Sequence, residues 1–148
     1  MAEIFVIRKM EEADIEKVSK IEEECFSMPW KPDDFREMIE RDNMTYVVAL
    51  VDDEIIGGAG LRCIVGDGEI TNVAITKAHR GKGYSKPMLE SLMAEGEKLG
   101  CSAYTLEVRV SNKPAICLYK SLGFEEAGVR PGFYDLPKED AIIYWKYI

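Results

Sequence analysis

The sequence predicts an α/β (α+β) fold, with a mixed, mostly antiparallel sheet of about seven strands and helices on both faces. Two observations predict this class. Short apolar segments rich in β-branched and aromatic residues alternate with segments whose apolar residues recur at helical spacing, in the order βααβββαβαββ. The length of 148 residues suits a single domain over 1–148 that buries a sizeable core.

Local patterns predict each element in chain order. In the first half we predict a strand over 4–8, a helix over 11–26, a helix opening at Pro32, and strands over 45–51, 54–65 and 69–75. In the second half we predict a helix from Ser85 that ends at Gly100, a strand over 103–110, a helix from Asn112 to about Leu122, and strands over 124–129 and 141–147. The first helix is predicted to bury Ile15, Val18, Ile21 and Cys25, which share one face. The turn sequences at 52–53 and 66–68 join the central strands.

The charge balance restricts the partners of the protein. The net charge is −8, from 19 lysines and arginines against 27 aspartates and glutamates. This balance argues against nucleic acid, because phosphate contacts need a basic face, and it suits a basic substrate such as an amine. No apolar run is long enough to span a membrane, and the N-terminus lacks the layout of a signal peptide. We therefore expect a cytoplasmic protein with no membrane partner.

The cysteines do not form a metal or disulfide pattern. Cys25, Cys63, Cys101 and Cys117 are widely scattered, and none belongs to a Cys-x-x-Cys pair. With a single histidine, His79, no zinc pattern exists, so no metal is expected. All four cysteines lie in apolar segments and are predicted to be buried free thiols, whereas His79 is expected to be exposed.

The most informative stretch is the basic, glycine-containing loop at 80–85. It follows an apolar strand and precedes a helix that must start close to Ser85, because Pro87 fits only in a first turn. Unpaired N–H groups and the positive end of the helix dipole therefore lie at this loop. Gly81 and Gly83 leave the backbone open to a ligand. The loop is predicted to hold a phosphate or pyrophosphate, although a strand-to-helix turn with solvated charges is the alternative.

Two common phosphate loops do not match. A P-loop requires Ser or Thr after Gly-Lys, but Gly83 follows Lys82; a dinucleotide fingerprint requires a third glycine where Lys86 stands. The remaining pattern, Arg80-x-x-Gly83-x-Ser85, resembles the acetyl-CoA pyrophosphate loop of the GCN5-related N-acetyltransferase (GNAT) superfamily, with Ser85 as a mild departure from Gly or Ala. The resemblance implies acetyl-CoA as the co-substrate, bound by Arg80, Gly81, Lys82, Gly83, Tyr84 and Ser85.

The strand over 103–110 carries charges on one face only. Leu106 and Val108 point one way, whereas Glu107 and Arg109 point the other. Because a sheet covered on both faces should be apolar on both, two charges on one face indicate a cleft there. An exposed sheet face is the alternative.

The segment after this strand extends the resemblance. Leu106-Glu107-Val108-Arg109-x-Ser111-Asn112, followed by Ala115-Ile116-x-Leu118-Tyr119-x-Ser121-Leu122-Gly123-Phe124, resembles the closing half of the acetyl-CoA site in this superfamily. The resemblance implies that Asn112 contacts the cofactor and that Tyr119 lies near the thioester sulfur. It also implies that the strand backbone of Val73, Ala74 and Ile75 contacts the pantetheine arm. For Tyr119, a core aromatic without a catalytic role is the alternative.

The reaction itself indicates the catalytic roles. An amine must lose a proton before it attacks a thioester, and a carboxylate beside a cleft can take that proton directly or through a water molecule. Glu107 is the candidate base, Tyr119 the candidate acid for the departing thiolate, and a strand N–H between Val73 and Ile75 the candidate oxyanion donor. A cysteine acyl-enzyme would use Cys117, but no histidine lies nearby in sequence to activate it.

The acceptor is indicated by a narrower resemblance. Met28-Pro29-Trp30, the Glu107 strand and Asp140-Ala141-Ile142-Ile143 resemble the RimI type, the N-terminal alanine acetyltransferases of ribosomal protein bS18. The resemblance implies direct transfer of acetyl to a protein N-terminus in a ternary complex, with Trp30 and Tyr134 at the substrate. A lysine, polyamine or other small-amine acceptor is the alternative, as is a non-catalytic acyl-CoA-binding module. We expect a monomer or weak dimer.

Overall fold

A seven-stranded sheet forms the centre of the computed structural model, which describes residues 3–148. The first two residues of the predicted domain lie outside this described part. The strands are β1 (Phe5–Lys9), β2 (Met44–Val51), β3 (Glu54–Ile64), β4 (Asp67–Ile75), β5 (Ala103–Arg109), β6 (Glu125–Tyr134) and β7 (Glu139–Tyr147). The helices are α1 (Ile15–Cys25), α2 (Pro32–Glu40), α3 (Ser85–Lys98) and α4 (Lys113–Ser121), with 3-10 turns at Glu12–Asp14 and Lys77–His79.

The sheet is mixed and mostly antiparallel, as the sequence predicted. Its strand order is β1-β2-β3-β4-β5-β7-β6. Strands β4 and β5 run parallel, and the other neighbouring strands in this order run antiparallel. The predicted chain order βααβββαβαββ is confirmed. No helix between residues 3 and 148 is both long and apolar enough to cross a membrane.

The second turn and the end of β6 are among the boundaries that differ from the prediction. The turn predicted at 66–68 lies instead at Val65 and Gly66, which have φ values of 49° and 83°, and Asp67 already belongs to β4. Strand β6 was predicted to end at Val129 but runs on to Tyr134. It includes a proline and irregular pairing because β6 is the outer strand of the sheet, where a missing N–H and a bulge are tolerated.

The helices cover both faces of the sheet. On one face α1 and α2 bury an apolar cluster around Phe35 and Tyr46. On the other face α3 and α4 bury a second cluster that includes Leu92, Tyr104 and Leu122. Burial of these two clusters supplies the main driving force for folding, and it fixes the helices against the sheet.

The four cysteines are free thiols, but the prediction that all are buried was wrong. Cys63 and Cys101 are buried, Cys25 is half-buried and Cys117 is exposed. On the short helix α4, Tyr119 faces the core, whereas Cys117, two residues earlier, faces solvent. An apolar segment alone could not show this, because only one stripe of a helix packs on a sheet.

Strands β4 and β5 pair only at their beginnings. Three residue pairs join them, the last being Glu69 with Thr105. Beyond this point β4 leaves β5, and a bulge interrupts its pairing with β3, since Ala74 pairs with Gly58 but Thr71 pairs with Gly60. Asn72 in this bulge has a φ of 55°. The two strands therefore open into a V, and the outer edge of β4 is left without a neighbouring strand.

Close packing beside the bulge depends on glycine in β3. A Cβ atom on Gly57 would lie 2.4 Å from the carbonyl oxygen of Ala74, a backbone atom of β4 that cannot rotate away. A Cβ on Gly58 would lie 2.5 Å from the ring of Tyr46. The absence of side chains at these positions therefore lets β3 approach both β4 and the Tyr46 ring.

We predict that Gly57→Ala destabilises the protein by about 1–3 kcal/mol, because the new methyl group overlaps the β4 backbone. Urea unfolding would measure the change. Gly128→Ala in β6 is the matched control, since its Cβ would meet only Ile143 Cδ1 at 4.0 Å. Equal stability changes in the two variants would contradict the packing argument.

Candidate active site

The V between β4 and β5 contains a large cleft. Its volume is about 780 Å³, and the segment between α1 and α2 and the turn between β6 and β7 form its rim. Residues from five parts of the chain that sequence analysis had singled out line this one cleft: Trp30, Val73, Glu107, Asn112, Tyr119 and Tyr134. Residues far apart in sequence therefore meet in one site.

The open edge of β4 forms one wall of the cleft. Neither β3 nor β5 pairs with Asn72 or Val73 in the register of the sheet. Ala74 and Ile75 are buried and pair with β3, so only their outer edge faces the V. An extended molecule with amide groups can complete such an edge by hydrogen bonding, as an added strand would.

The predicted phosphate loop lies at the end of β4, before α3. Gly81 and Gly83 have φ values of 76° and 80°, and no atom lies within 4 Å of a Cβ built on either residue. Helix α3 begins at Ser85, and no side chain caps its N-terminus through a hydrogen bond. The first-turn N–H groups are therefore available to an anion, and Lys82 beside them is exposed.

Two large side chains of this loop are held by other parts of the chain. The Arg80 guanidinium donates from Nε to the carbonyl oxygen of Ile75 at 2.9 Å and from Nη2 to Sγ of Cys25 at 3.2 Å. The Tyr84 ring stacks on Phe5 with centroids 4.7 Å apart. These contacts fasten the loop to β4 and β1, so that Arg80 and Tyr84 would meet a ligand through their backbone.

Glu107 and Tyr119 approach the cleft from β5 and α4. Glu107 is half-buried, and Oε1 lies 3.5 Å from Nε of the more exposed Arg130. Burial raises the pKa of Tyr119, with a further increase from Tyr134, so its phenol keeps its proton at neutral pH. Burial and the charge of Glu107 raise the pKa of Tyr134 to about 12. The site thus combines one accessible carboxylate with two protonated phenols.

Arg109 shares the cleft face with Glu107, as predicted, but its contacts are with the rim. Its guanidinium donates to the carbonyl oxygens of Pro137 and Asp135 at 2.8 and 3.1 Å and pairs with Glu139 at 3.2 Å. Its Cζ also lies 4.4 Å from the centre of the Tyr134 ring. Arg109 therefore holds the β6–β7 turn and Tyr134 against the cleft.

Asn112 and Trp30 occupy opposite sides of the cleft. The Oδ1 atom of Asn112 accepts the N–H of Ala115 at 3.3 Å and so caps α4, which leaves its amide nitrogen for a ligand. Trp30 is half-buried, and its ring lies 5.4 Å from that of Phe35. Packing on α2 thus holds the indole at the rim.

The residues of the acyl-enzyme alternative lie elsewhere. Cys117 is exposed, and it does not line the cleft. His79 is half-buried, which differs from the predicted exposure, because the ring of Tyr84 lies 6.4 Å from its own. Cys25 does line the cleft, but burial raises the pKa of its thiol and so disfavours the nucleophilic thiolate. Within residues 3–148, no three His, Cys, Asp or Glu side chains cluster as a metal site would require.

Among the cleft residues that sequence analysis missed is Glu22 on α1. This carboxylate is only 2 % exposed, yet it lines the cleft and accepts a hydrogen bond at Oε1 from Nδ2 of Asn72. Burial raises its pKa to about 7, although Asn72 and the Trp30 backbone act in the opposite direction. Its spacing of four residues from Val18 was the available signal, because it puts a carboxylate on the buried face of the helix.

Comparison with known proteins identifies the family. The sequence profile of the acetyltransferase (GNAT) family matches residues 15–124. The chain belongs to this family. It is therefore an acetyl-CoA-dependent N-acetyltransferase. The structure fits that co-substrate, since the open β4 edge can take an extended arm and the loop before α3 can take its phosphates.

Individual relatives align with nearly the whole length of this acetyltransferase. A Bacillus subtilis protein provisionally named a ribosomal protein bS18-alanine N-acetyltransferase is 35 % identical over 94 % of this chain and 93 % of its own. The Escherichia coli protein named a ribosomal protein bS18-alanine N-acetyltransferase is 30 % identical over 93 % of both chains. The crystal structure of the ribosomal-protein-S18-alanine N-acetyltransferase from Escherichia coli superimposes with a TM-score of 0.88, at 29 % identity over 98 % of this chain and 94 % of that one.

We predict that Gly83→Asp weakens acetyl-CoA binding by at least roughly tenfold, because it adds negative charge where the helix N-terminus would hold phosphate. Calorimetric titration with acetyl-CoA would measure the affinity. Gly83→Asn is the matched control, since asparagine has the same size and tolerates positive φ but carries no charge. Unchanged affinity in Gly83→Asp would refute this placement of the phosphates.

Proposed function

We propose that the protein transfers acetyl from acetyl-CoA to the N-terminal α-amino group of a protein, with the N-terminal alanine of ribosomal protein bS18 as its acceptor. One observation carries the proposal: Glu107 and Tyr119 face the same cleft beside the unpaired edge of β4. The relatives named for this reaction support the choice of acceptor, because their similarity extends over nearly the full length of each chain.

The donor half of the cleft would bind acetyl-CoA in two parts. We propose that the pantetheine arm lies along the edge of Val73, Ala74 and Ile75, and that Asn112 donates to it from the facing side. The pyrophosphate would meet the backbone N–H groups over 80–85 and the Lys82 ammonium. A β4 N–H near Val73 would then donate to the thioester oxygen as negative charge develops on it.

The chemistry would be direct attack within the ternary complex. The amine nitrogen forms a bond to the thioester carbon, and the C–S bond then breaks with its electron pair remaining on sulfur. Glu107 takes a proton from the attacking nitrogen, and Tyr119 gives a proton to the departing thiolate. The Tyr119 phenol is protonated at neutral pH, so its proton is available when the thiolate forms.

The acceptor half of the cleft has an aromatic rim. Trp30 from the α1–α2 segment and Tyr134 from the end of β6 line it, and we propose that they hold the first residues of the acceptor peptide. The net charge of −8 would attract a cationic N-terminus. An α-amino group has a pKa near 8, whereas lysine has one near 10.4, so a carboxylate base deprotonates the α-amino group more easily.

Other acceptors, or a non-catalytic role, would require different residues in the cleft. A lysine, polyamine or small-amine acceptor would use the same donor half but would not need the peptide-sized rim. A non-catalytic acyl-CoA-binding module would need neither Glu107 nor Tyr119 in the cleft, and both lie there. We further propose that the protein acts in the cytoplasm as a monomer or weak dimer, without a nucleic-acid partner.

A peptide assay tests the acceptor. We expect release of free CoA with a peptide that copies the bS18 N-terminus and begins with alanine. We expect no release with the same peptide when its N-terminus is blocked and a lysine is present. Mass spectrometry of the product would locate the acetyl group, and acetylation confined to lysine side chains would refute the proposed acceptor.

Two variants test the catalytic roles. We expect Glu107→Gln and Tyr119→Phe each to lower kcat by roughly 100-fold or more, as loss of an acid or base does, while acetyl-CoA affinity is largely kept. Tyr147→Phe is the matched control, because this tyrosine is exposed on β7 and does not line the cleft. An unchanged kcat for either active-site variant would remove that residue from its proposed role.

A further inference from the structure

The cleft has a second carboxylate on the side facing Glu107. Glu107 stands on β5, whereas Glu22 stands on α1 and is bonded to Asn72 in the β4 bulge. Since β4 and β5 form the two arms of the V, the two carboxylates approach the cleft from its two sides. Val73, the proposed site of the oxyanion donor, directly follows the residue that holds Glu22.

Glu22 has a buried oxygen atom that the protein itself does not satisfy. Oε1 accepts the Asn72 amide, and the Trp30 backbone also favours the charged carboxylate, but Oε2 is buried and makes no hydrogen bond with residues 3–148. The titratable groups that face this carboxylate are the Cys25 thiol on α1 and the Tyr46 phenol on β2, and burial raises the pKa of both, so both are neutral at pH 7. No cation of the described chain acts on Glu22. Burial of a carboxylate that has one unpaired oxygen and no cation beside it is costly, so a donor supplied by the ligand to Oε2 would stabilise it.

The reaction supplies such a donor. An acceptor amine enters as an ammonium ion, which must lose one proton before it can attack and a second before the product is a neutral amide. The departing thiolate takes up one proton from Tyr119. Conversion of ammonium and acetyl thioester to amide and thiol therefore releases one net proton, but two must leave the nitrogen. Glu107 accounts for one of them.

We propose that Glu22 binds the acceptor ammonium through Oε2 and accepts its first proton. The neutral amine then attacks the thioester carbon, Glu107 accepts the second proton from the nitrogen, and Tyr119 protonates the thiolate as the C–S bond breaks. Glu22 and Glu107 afterwards return their protons, one to Tyr119 and one to solvent. This proposal rests on acetyl transfer to an amine, as proposed above, and assigns the two proton acceptors to opposite sides of one cleft.

The titration of Glu22 agrees with this role. Its pKa of about 7 lies near the value of about 8 for an α-amino group, so that the two groups exchange a proton at little cost. A lysine, with a pKa near 10.4, would give up its proton to Glu22 far less readily. The same residue would therefore favour N-terminal amines over lysines.

The test compares Glu22→Gln with the wild-type protein. Glutamine keeps an oxygen that can accept from Asn72, but it cannot take a proton. We expect kcat/KM at pH 7 to fall at least roughly 30-fold, with acetyl-CoA affinity within about twofold, as for loss of a general base. We also expect that the residual activity of the variant no longer rises with pH near pH 7, as the activity of the wild type does. Glu23→Gln, which alters an exposed carboxylate on the same helix, is the matched control and should leave both values unchanged.

Activity of Glu22→Gln within about threefold of the wild type would overturn the proposal, because it would show that Glu22 only holds the bulge. The comparison uses whichever amine the wild type acetylates. A wild type that acts on lysine alone would therefore refute the proposed acceptor but still give the effect of Glu22→Gln.

A second measurement is independent of turnover. Because burial raises the pKa of Glu22 in the folded protein, its contribution to stability is present at pH 4 and is lost as the pH rises through 7. Glutamine does not titrate, so the melting temperature of Glu22→Gln should rise relative to the wild type between pH 5 and pH 8. A difference that stays constant over this range would overturn the assignment of Glu22 as a proton acceptor.

Discussion

The separation of β4 from β5 is the constraint on which the rest of the structure depends. Parallel pairing ends after three residues, and the bulge at Asn72 removes β4 from regular pairing on its other side as well. A buried strand edge with unpaired polar groups is unfavourable unless something completes it. The family co-substrate has an extended, amide-containing arm, and the break in the sheet provides the free edge along which we propose that this arm binds.

Positive groups lie at the outer end of this opening, and carboxylates lie inside it. The helix N-terminus and Lys82 give the outer end of β4 a positive character suited to phosphates. The interior has carboxylates, Glu22 and Glu107, suited to an ammonium ion. The Arg109 guanidinium holds the rim through carbonyl oxygens and the Tyr134 ring. The phosphates of the donor and the ammonium group of the acceptor can therefore bind in regions of opposite charge.

Local patterns predicted much of this arrangement, and the failures share a cause. The order of elements, the start of α3 and the open backbone at Gly81 and Gly83 follow from residues close in sequence. The extension of β6 depends on its place at the edge of the sheet. The exposure of Cys117 depends on which stripe of α4 meets the core. To predict such features one must know which segments pack together, and the residue pattern within one segment does not show this.

By itself the sequence determined the fold class, the candidate phosphate loop and the candidate pair of Glu107 and Tyr119, because each depends on short-range spacing or on a family motif. Only the tertiary structure decided that α1 carries a carboxylate into the cleft and that Arg109 faces the rim. Both depend on contacts between elements distant in sequence. The physical reason is burial: the pKa and the partners of Glu22 follow from the layers packed around it, and these exist only in the folded chain.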